Sequence, residues 1–119
     1  MINPAIALGA VTRTQMTMLL VRLRKVAEAK CLSSEELKKL SAAVEQLRQA
    51  VVDSSELGPG PIVVGEGVPP VNKEEILSEL REITKQLNEV KADDWVPEAA
   101  RKSLSGSLRT IEGVLGEMS

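Results

Sequence analysis

Residues 33–51, SSEELKKLSAAVEQLRQAV, decide the fold because they combine a helix start with a heptad repeat. Ser33 suits the N-cap and Glu36 the third helical position, the pair that forms a capping box, with Leu32 and Leu37 at the flanking apolar staple positions. Spacings of 3, 4, 3 and 4 then separate the apolar residues Leu37, Leu40, Val44, Leu47 and Val51. This repeat predicts a helix that packs against other helices and ends near Asp53.

A second stretch, residues 72–90, repeats this arrangement with the sequence NKEEILSELREITKQLNEV. Asn72 is the predicted N-cap and Glu75 its partner. The apolar residues follow at spacings of 4, 3, 4 and 3, as Ile76, Leu80, Ile83, Leu87 and Val90. The chain therefore contains a second predicted helix with an apolar seam.

Two further helices are predicted beside these seams. The first begins within residues 5–14 and runs to about residue 30, with Met18 and Val21 outside its main apolar stripe. The fourth follows Pro97, which suits the first turn of a helix. Its apolar positions are Ala100, Leu104, Leu108, Ile111, Leu115 and Met118.

The segment between the seams, residues 54–71, cannot be helical because it holds four Gly and four Pro. We therefore predict an all-α chain of two antiparallel hairpins, residues 1–53 and 72–119, joined by this Pro/Gly-rich linker. The hairpins either stack as a four-helix bundle or dock on neighbouring subunits in an oligomeric, coiled-coil-like bundle.

The composition argues against catalysis. The chain has no His, Phe or Tyr, one Trp (Trp95) and one Cys (Cys31), which removes the commonest general base and metal ligand. Each carboxylate pair, as at residues 35–36, 74–75 and 93–94, lies in or just before a predicted first helical turn, where the helix dipole favours acids. We expect no enzyme, no catalytic residue, no cofactor and no metal.

Charge and hydropathy limit the classes of partner that the chain is expected to bind. Residues 1–53 hold 8 basic and 5 acidic side chains, whereas residues 54–119 hold 7 and 12, so the two halves can attract each other or another copy. Nucleic acid is not expected as a partner, because no aromatic residue accompanies the basic residues and the isoelectric point is about 5.3. Neither a membrane span nor a signal peptide is predicted, so the expected location is the cytoplasm or a particle assembled there.

Two apolar segments are the predicted partner-binding sites. Residues 1–12 carry no charge, and an island of three aliphatic residues lies in the linker. Exposed apolar surface of this kind usually marks an interface, although both segments can instead fold back on the chain's own helices. The predicted contact residues are Ile2, Ile6, Leu8, Val11, Ile62, Val63 and Val64.

These features predict a non-catalytic structural or assembly protein that acts through helix-mediated contacts with copies of itself or a larger assembly. The pattern is generally similar to that of small helical components of large particles, such as phage head or neck accessory proteins. That likeness implies an accessory role in a symmetric particle such as a virion. The alternatives are a free regulatory or adaptor protein that captures a partner helix in a groove, and a DNA binder with strongly salt-dependent affinity.

Overall fold

The computed structural model describes residues 4–54, 68–93 and 96–118, and for residues 4–11 it describes the backbone alone. The described residues contain four helices and no strand, which confirms the all-α prediction. The helices are α1 (Pro4–Ala27), α2 (Ser34–Asp53), α3 (Lys73–Lys91) and α4 (Glu98–Met118). The first helix ends a few residues earlier than predicted, and the chain turns before α2.

Both predicted caps are present. Ser33 Oγ accepts a hydrogen bond from the Glu36 backbone at 3.1 Å, and Glu36 Oε1 accepts one from the Ser33 backbone at 2.8 Å. At α3, Asn72 Oδ1 accepts from the Glu75 backbone at 2.9 Å, while Glu75 Oε2 accepts from the Val71 backbone at 2.9 Å. Side chains thus satisfy N–H groups that a helix start otherwise leaves without partners.

Each helix packs against two others: α1 and α4 both contact α2 and α3. The Thr12 hydroxyl, near the start of α1, donates to Asp93 just after α3 at 3.1 Å. Arg22, further along α1, donates to Glu79 in the first half of α3. Since residues late in α1 meet residues early in α3, these two helices run antiparallel.

The most extensive helix pair is α2 with α4, which also run antiparallel. Lys39 near the start of α2 pairs with Glu117 near the end of α4, and Thr110 donates to Gln46 further along at 3.0 Å. These two helices belong to different predicted hairpins.

The linker joins opposite ends of the helices. Helix α2 begins beside the end of α4, where Lys39 pairs with Glu117. Helix α4 begins beside the end of α3, where Arg101 donates to the Asp93 carbonyl oxygen at 2.9 Å, so α2 and α3 begin at the same end of the molecule. At the other end, Ser54 after α2 lies 3.8 Å from the Met16 sulfur of α1. The end of α2 and the start of α3 are therefore separated by about the length of a 20-residue helix, or about 30 Å.

The core is aliphatic, as the lack of aromatic residues requires. All five seam residues of α3 are buried, from Ile76 to Val90. In α2 the seam is shifted by part of a turn: Leu40 and Leu47 are fully buried, but the prediction is wrong at Leu37, which is 44% exposed. The buried residues of α2 are Glu36, Leu40, Ala43, Leu47 and Ala50.

Close approach of α4 explains this shift. The buried Ser107 hydroxyl of α4 donates to the Ala43 carbonyl oxygen at 2.9 Å, a contact that only small side chains at the helix surface permit. Since α4 lies over the alanine side of α2, Val44 and Val51 flank the core and are partly buried. Leu37, on the same side as these valines, remains exposed near the helix start.

Candidate interaction surface

Two exposed apolar side chains lie just before α3, and a third lies on the surface of α1. Val68 and Val71, just before α3, are 83% and 70% exposed, and Met18 on α1 is 51% exposed. Val21 lies one helical turn beyond Met18 and is only partly buried. Because Val68 and Val71 lie together against one cavity and are not scattered singly, this region is a candidate surface for contact.

Two adjoining cavities give this region a concave shape. One, of about 470 Å³, lies between the second half of α1 and the first half of α3. The other, of about 450 Å³, lies against the turn after α1, where Cys31 is exposed. Val68 and Pro70 line both, and we call the pair the α1–α3 groove. Its apolar wall is formed by Val21, Val26, Val68, Pro69, Pro70 and Val71.

Charged side chains at this groove pair with one another. Arg22 donates to both carboxylate oxygens of Glu79, at 3.2 and 3.1 Å. Lys25 lies 3.4 Å from Glu28. These pairs are partly exposed, so each contributes at most about 1 kcal/mol to stability. These two pairs lie beside the apolar wall, and Lys30 and Glu75 are further charged residues that line the groove.

The opposite end of α1 extends past the other helices. Thr12 is level with the end of α3, and Met16 contacts the residue that caps α2. Residues 4–11 are helical and continue α1 beyond these points by about 12 Å. We call residues 4–11 the arm.

The predicted contact residues fall in different places relative to this arm. The structure describes the helical backbone at Ile6, Leu8 and Val11. Ile2 and the island, residues 62–64, lie outside the described residues. The structure therefore places three of the predicted residues on one helical projection and leaves the island as a prediction.

One carboxylate of each pair singled out by sequence has a structural partner. Glu36 and Glu75 accept hydrogen bonds from the backbone at the starts of α2 and α3, and Asp93 accepts one from Thr12. Within residues 12–54, 68–93 and 96–118, no three Cys, Asp or Glu side chains come together as a group that could hold a metal ion. The absence of catalysis remains a prediction.

Sequence reasoning missed the groove. Its walls come from α1 and from residues 68–71, which are distant in the sequence and meet only in the folded chain. One signal was available, because Met18 and Val21 lie outside the main apolar stripe of α1. Apolar residues outside the core-facing stripe indicate that a helix has a second contact face.

None of the described helices is both long and apolar enough to cross a membrane. Comparison of the sequence with protein-family models gives no match, and neither does comparison with curated proteins. The fold likewise matches no solved structure. Function must therefore be argued from the surface itself.

Proposed function

We propose that this protein is a non-catalytic structural or assembly protein that binds other proteins through its helices. The observation that carries the proposal is the exposure of Val68 and Val71, two apolar side chains that line the α1–α3 groove. Exposing such residues together gains nothing for a chain whose core is already filled, whereas burying them against a partner is favourable.

In this proposal the four helices act as one bundle made from two hairpins. The contacts of α1 with α3 and of α2 with α4 support this arrangement. The Pro/Gly-rich linker then serves as a crossover that lets α2 and α3 run parallel on opposite corners. A bundle of this kind offers a rigid body on which the arm and the groove are held in fixed positions.

The arm and the linker island are the proposed docking elements. The arm is supported by its uncharged sequence and by its projection beyond α2 and α3. For the island, residues 62–64, the support is its sequence alone. The proposed host is a large symmetric particle such as a virion, in keeping with the general likeness to small phage accessory proteins.

Purification of the tagged full chain from its native cells under mild conditions tests this proposal. A building block is expected to elute at a mass well above 12.8 kDa, with itself or other chains at a fixed ratio. Recovery as a monomer, with no chain retained at constant stoichiometry, would contradict it. The mass is best measured by light scattering, and the chains identified by mass spectrometry.

One observation favours an adaptor as the second candidate. The α1–α3 groove combines an apolar wall with paired charges, which suits an amphipathic partner helix. An adaptor is expected to be monomeric alone and to bind its partner reversibly, so the same mass measurement separates the two functions.

A further inference from the structure

We infer that the chain associates head to tail, with the arm of one copy seated in the α1–α3 groove of the next. This inference rests on the proposed function and names its partner, a second copy of this chain. It concerns residues 4–11 on one side and the groove around Val68 on the other.

The arm and the groove cannot meet within one copy. Both belong to or adjoin α1, a single helix from Pro4 to Ala27. Leu8 in the arm and Lys25 at the groove are separated along this helix by about 25 Å, at 1.5 Å for each residue. A contact between arm and groove therefore requires two molecules.

The chemistry of the two surfaces matches. No charged residue occurs before Arg13, so the arm can be desolvated without stranding a charge. In the groove, Arg22 pairs with Glu79 and Lys25 with Glu28, so their charges already have partners. Of the other charged residues at the groove, Glu75 accepts a hydrogen bond from the Val71 backbone, and Lys30 lines the cavity beside Cys31. An uncharged helical segment suits the apolar wall and leaves the four paired charges undisturbed.

The helix of the arm is also expected to become more stable when it packs in the groove. Two turns of helix that extend past the bundle are marginal alone, because short helices depend on packing for their stability. The wall of Val21, Val68 and Pro70 supplies apolar surface of the kind that holds amphipathic helices in grooves.

Head-to-tail contacts have a defined consequence for assembly. Each copy uses a different surface toward each of its two neighbours, so the contact is heterologous and produces closed rings or open chains. The elongated shape, 49 × 26 × 19 Å, with arm and groove near opposite ends of α1, fits this mode of growth.

A mixing experiment tests this mode directly. Leu8→Glu places a charge in the arm, and Val68→Glu places one in the groove at a residue that is 83% exposed, so the monomer fold is preserved. Each variant alone is expected to associate about 100-fold more weakly than the wild type, because a carboxylate is costly to bury in an apolar contact. The control is Val52→Glu, at an exposed apolar residue of α2 that does not line the groove.

The decisive sample is a mixture of the two variants. One retains an intact groove and the other an intact arm, so they are expected to form a one-to-one dimer that grows no further. Sedimentation should show two chains of 12.8 kDa in the complex, and the control should assemble as the wild type does. Melting curves of each variant verify that both are folded, and Ile6→Glu replaces Leu8→Glu if the latter is not.

Three results would overturn this inference: a mixture that stays monomeric, single variants that assemble normally, or a wild type that is monomeric at every concentration. The last result would leave the proposed function intact if the purified chain still retains other proteins at a fixed ratio. A wild type that neither self-associates nor retains any protein would overturn both.

Discussion

Helices α1 and α3 lie side by side but use their apolar residues differently. In α3 the five predicted seam residues are all buried. In α1 a similar stripe is buried, including Met16 and Leu23, yet Met18 and Val21 remain on the surface. Outside its buried seam α3 has one large apolar residue, the half-buried Leu77, whereas α1 has the half-buried Val21 and also Met18, which is 51% exposed. We propose that this exposed apolar surface of α1 serves contact with other chains.

The core-facing stripes themselves do not explain the contrast. In α1, α3 and α4 five buried positions recur at the same spacings of 4, 3, 4 and 3, and Leu20 in α1 and Leu108 in α4 are buried beside them. The recurring positions are residues 12, 16, 19, 23 and 26, residues 76, 80, 83, 87 and 90, and residues 100, 104, 107, 111 and 114. The difference therefore lies on the outer faces, where α3 exposes charged residues around the half-buried Leu77 and α1 exposes Met18.

The largest expected effect is the loss of stability when a buried apolar residue is truncated, compared with truncation of an exposed one. Leu80→Ala in α3 and Leu23→Ala in α1 are each expected to lower the free energy of unfolding by about 2–5 kcal/mol, because both side chains are fully buried. Met18→Ala, at an exposed residue, is expected to change it by less than about 0.5 kcal/mol. Urea denaturation of the monomer at low concentration measures all three, and equal losses would remove the contrast.

A smaller effect concerns the cap of α2 and its dependence on pH. The Ser33 backbone hydrogen bond, together with the Ser33 hydroxyl and the Lys73 charge, holds the pKa of Glu36 below its usual 4.5. This ionised carboxylate therefore stabilises the fold above the unfolded pKa, and the stabilisation is lost as pH falls through the lower folded pKa. Glu36→Gln should abolish this contribution to the fall in unfolding free energy at low pH. We expect the contribution to be about 1 kcal/mol or less.

Unfolding free energies at several values between pH 7 and pH 3 measure this decline. The matched control is Glu35→Gln, which removes the same charge from the same turn at an exposed position and should keep the decline. If the unfolding free energies of both variants fall with pH as that of the wild type does, the capping carboxylate does not cause the loss of stability at low pH.

The smallest effect concerns the glycines of α4. An added Cβ at Gly113 meets no atom within 4 Å, so Gly113→Ala should stabilise the fold by about 0.4–1 kcal/mol. At Gly106 the Cβ would come within 3.1 Å of the Gln46 side chain, so Gly106→Ala should gain less or lose stability. Thermal unfolding of both variants shows whether close contact with α2 or loose helix structure explains these glycines.

The sequence predicted the fold class and the whole of the α3 seam, because its large aliphatic residues fall on one face. It misassigned Leu37 in α2, since heptad spacing alone cannot show that Ala43 would face a close neighbour through Ser107. It also could not place Val68 beside α1, because the two are distant in the sequence and line one cavity only in the folded chain. Local patterns specify helices, whereas grooves arise from how the helices are arranged.

The central claim is that the arm and the outer face of α1 serve contact with other chains and not folding. Deletion of residues 1–11 tests it most directly, with mass and unfolding free energy measured on the same sample. We predict that the truncated chain loses self-association while the monomer keeps its unfolding free energy to within about 0.5 kcal/mol. Unchanged assembly together with a large loss of monomer stability would contradict the account and show that the arm folds back on its own bundle.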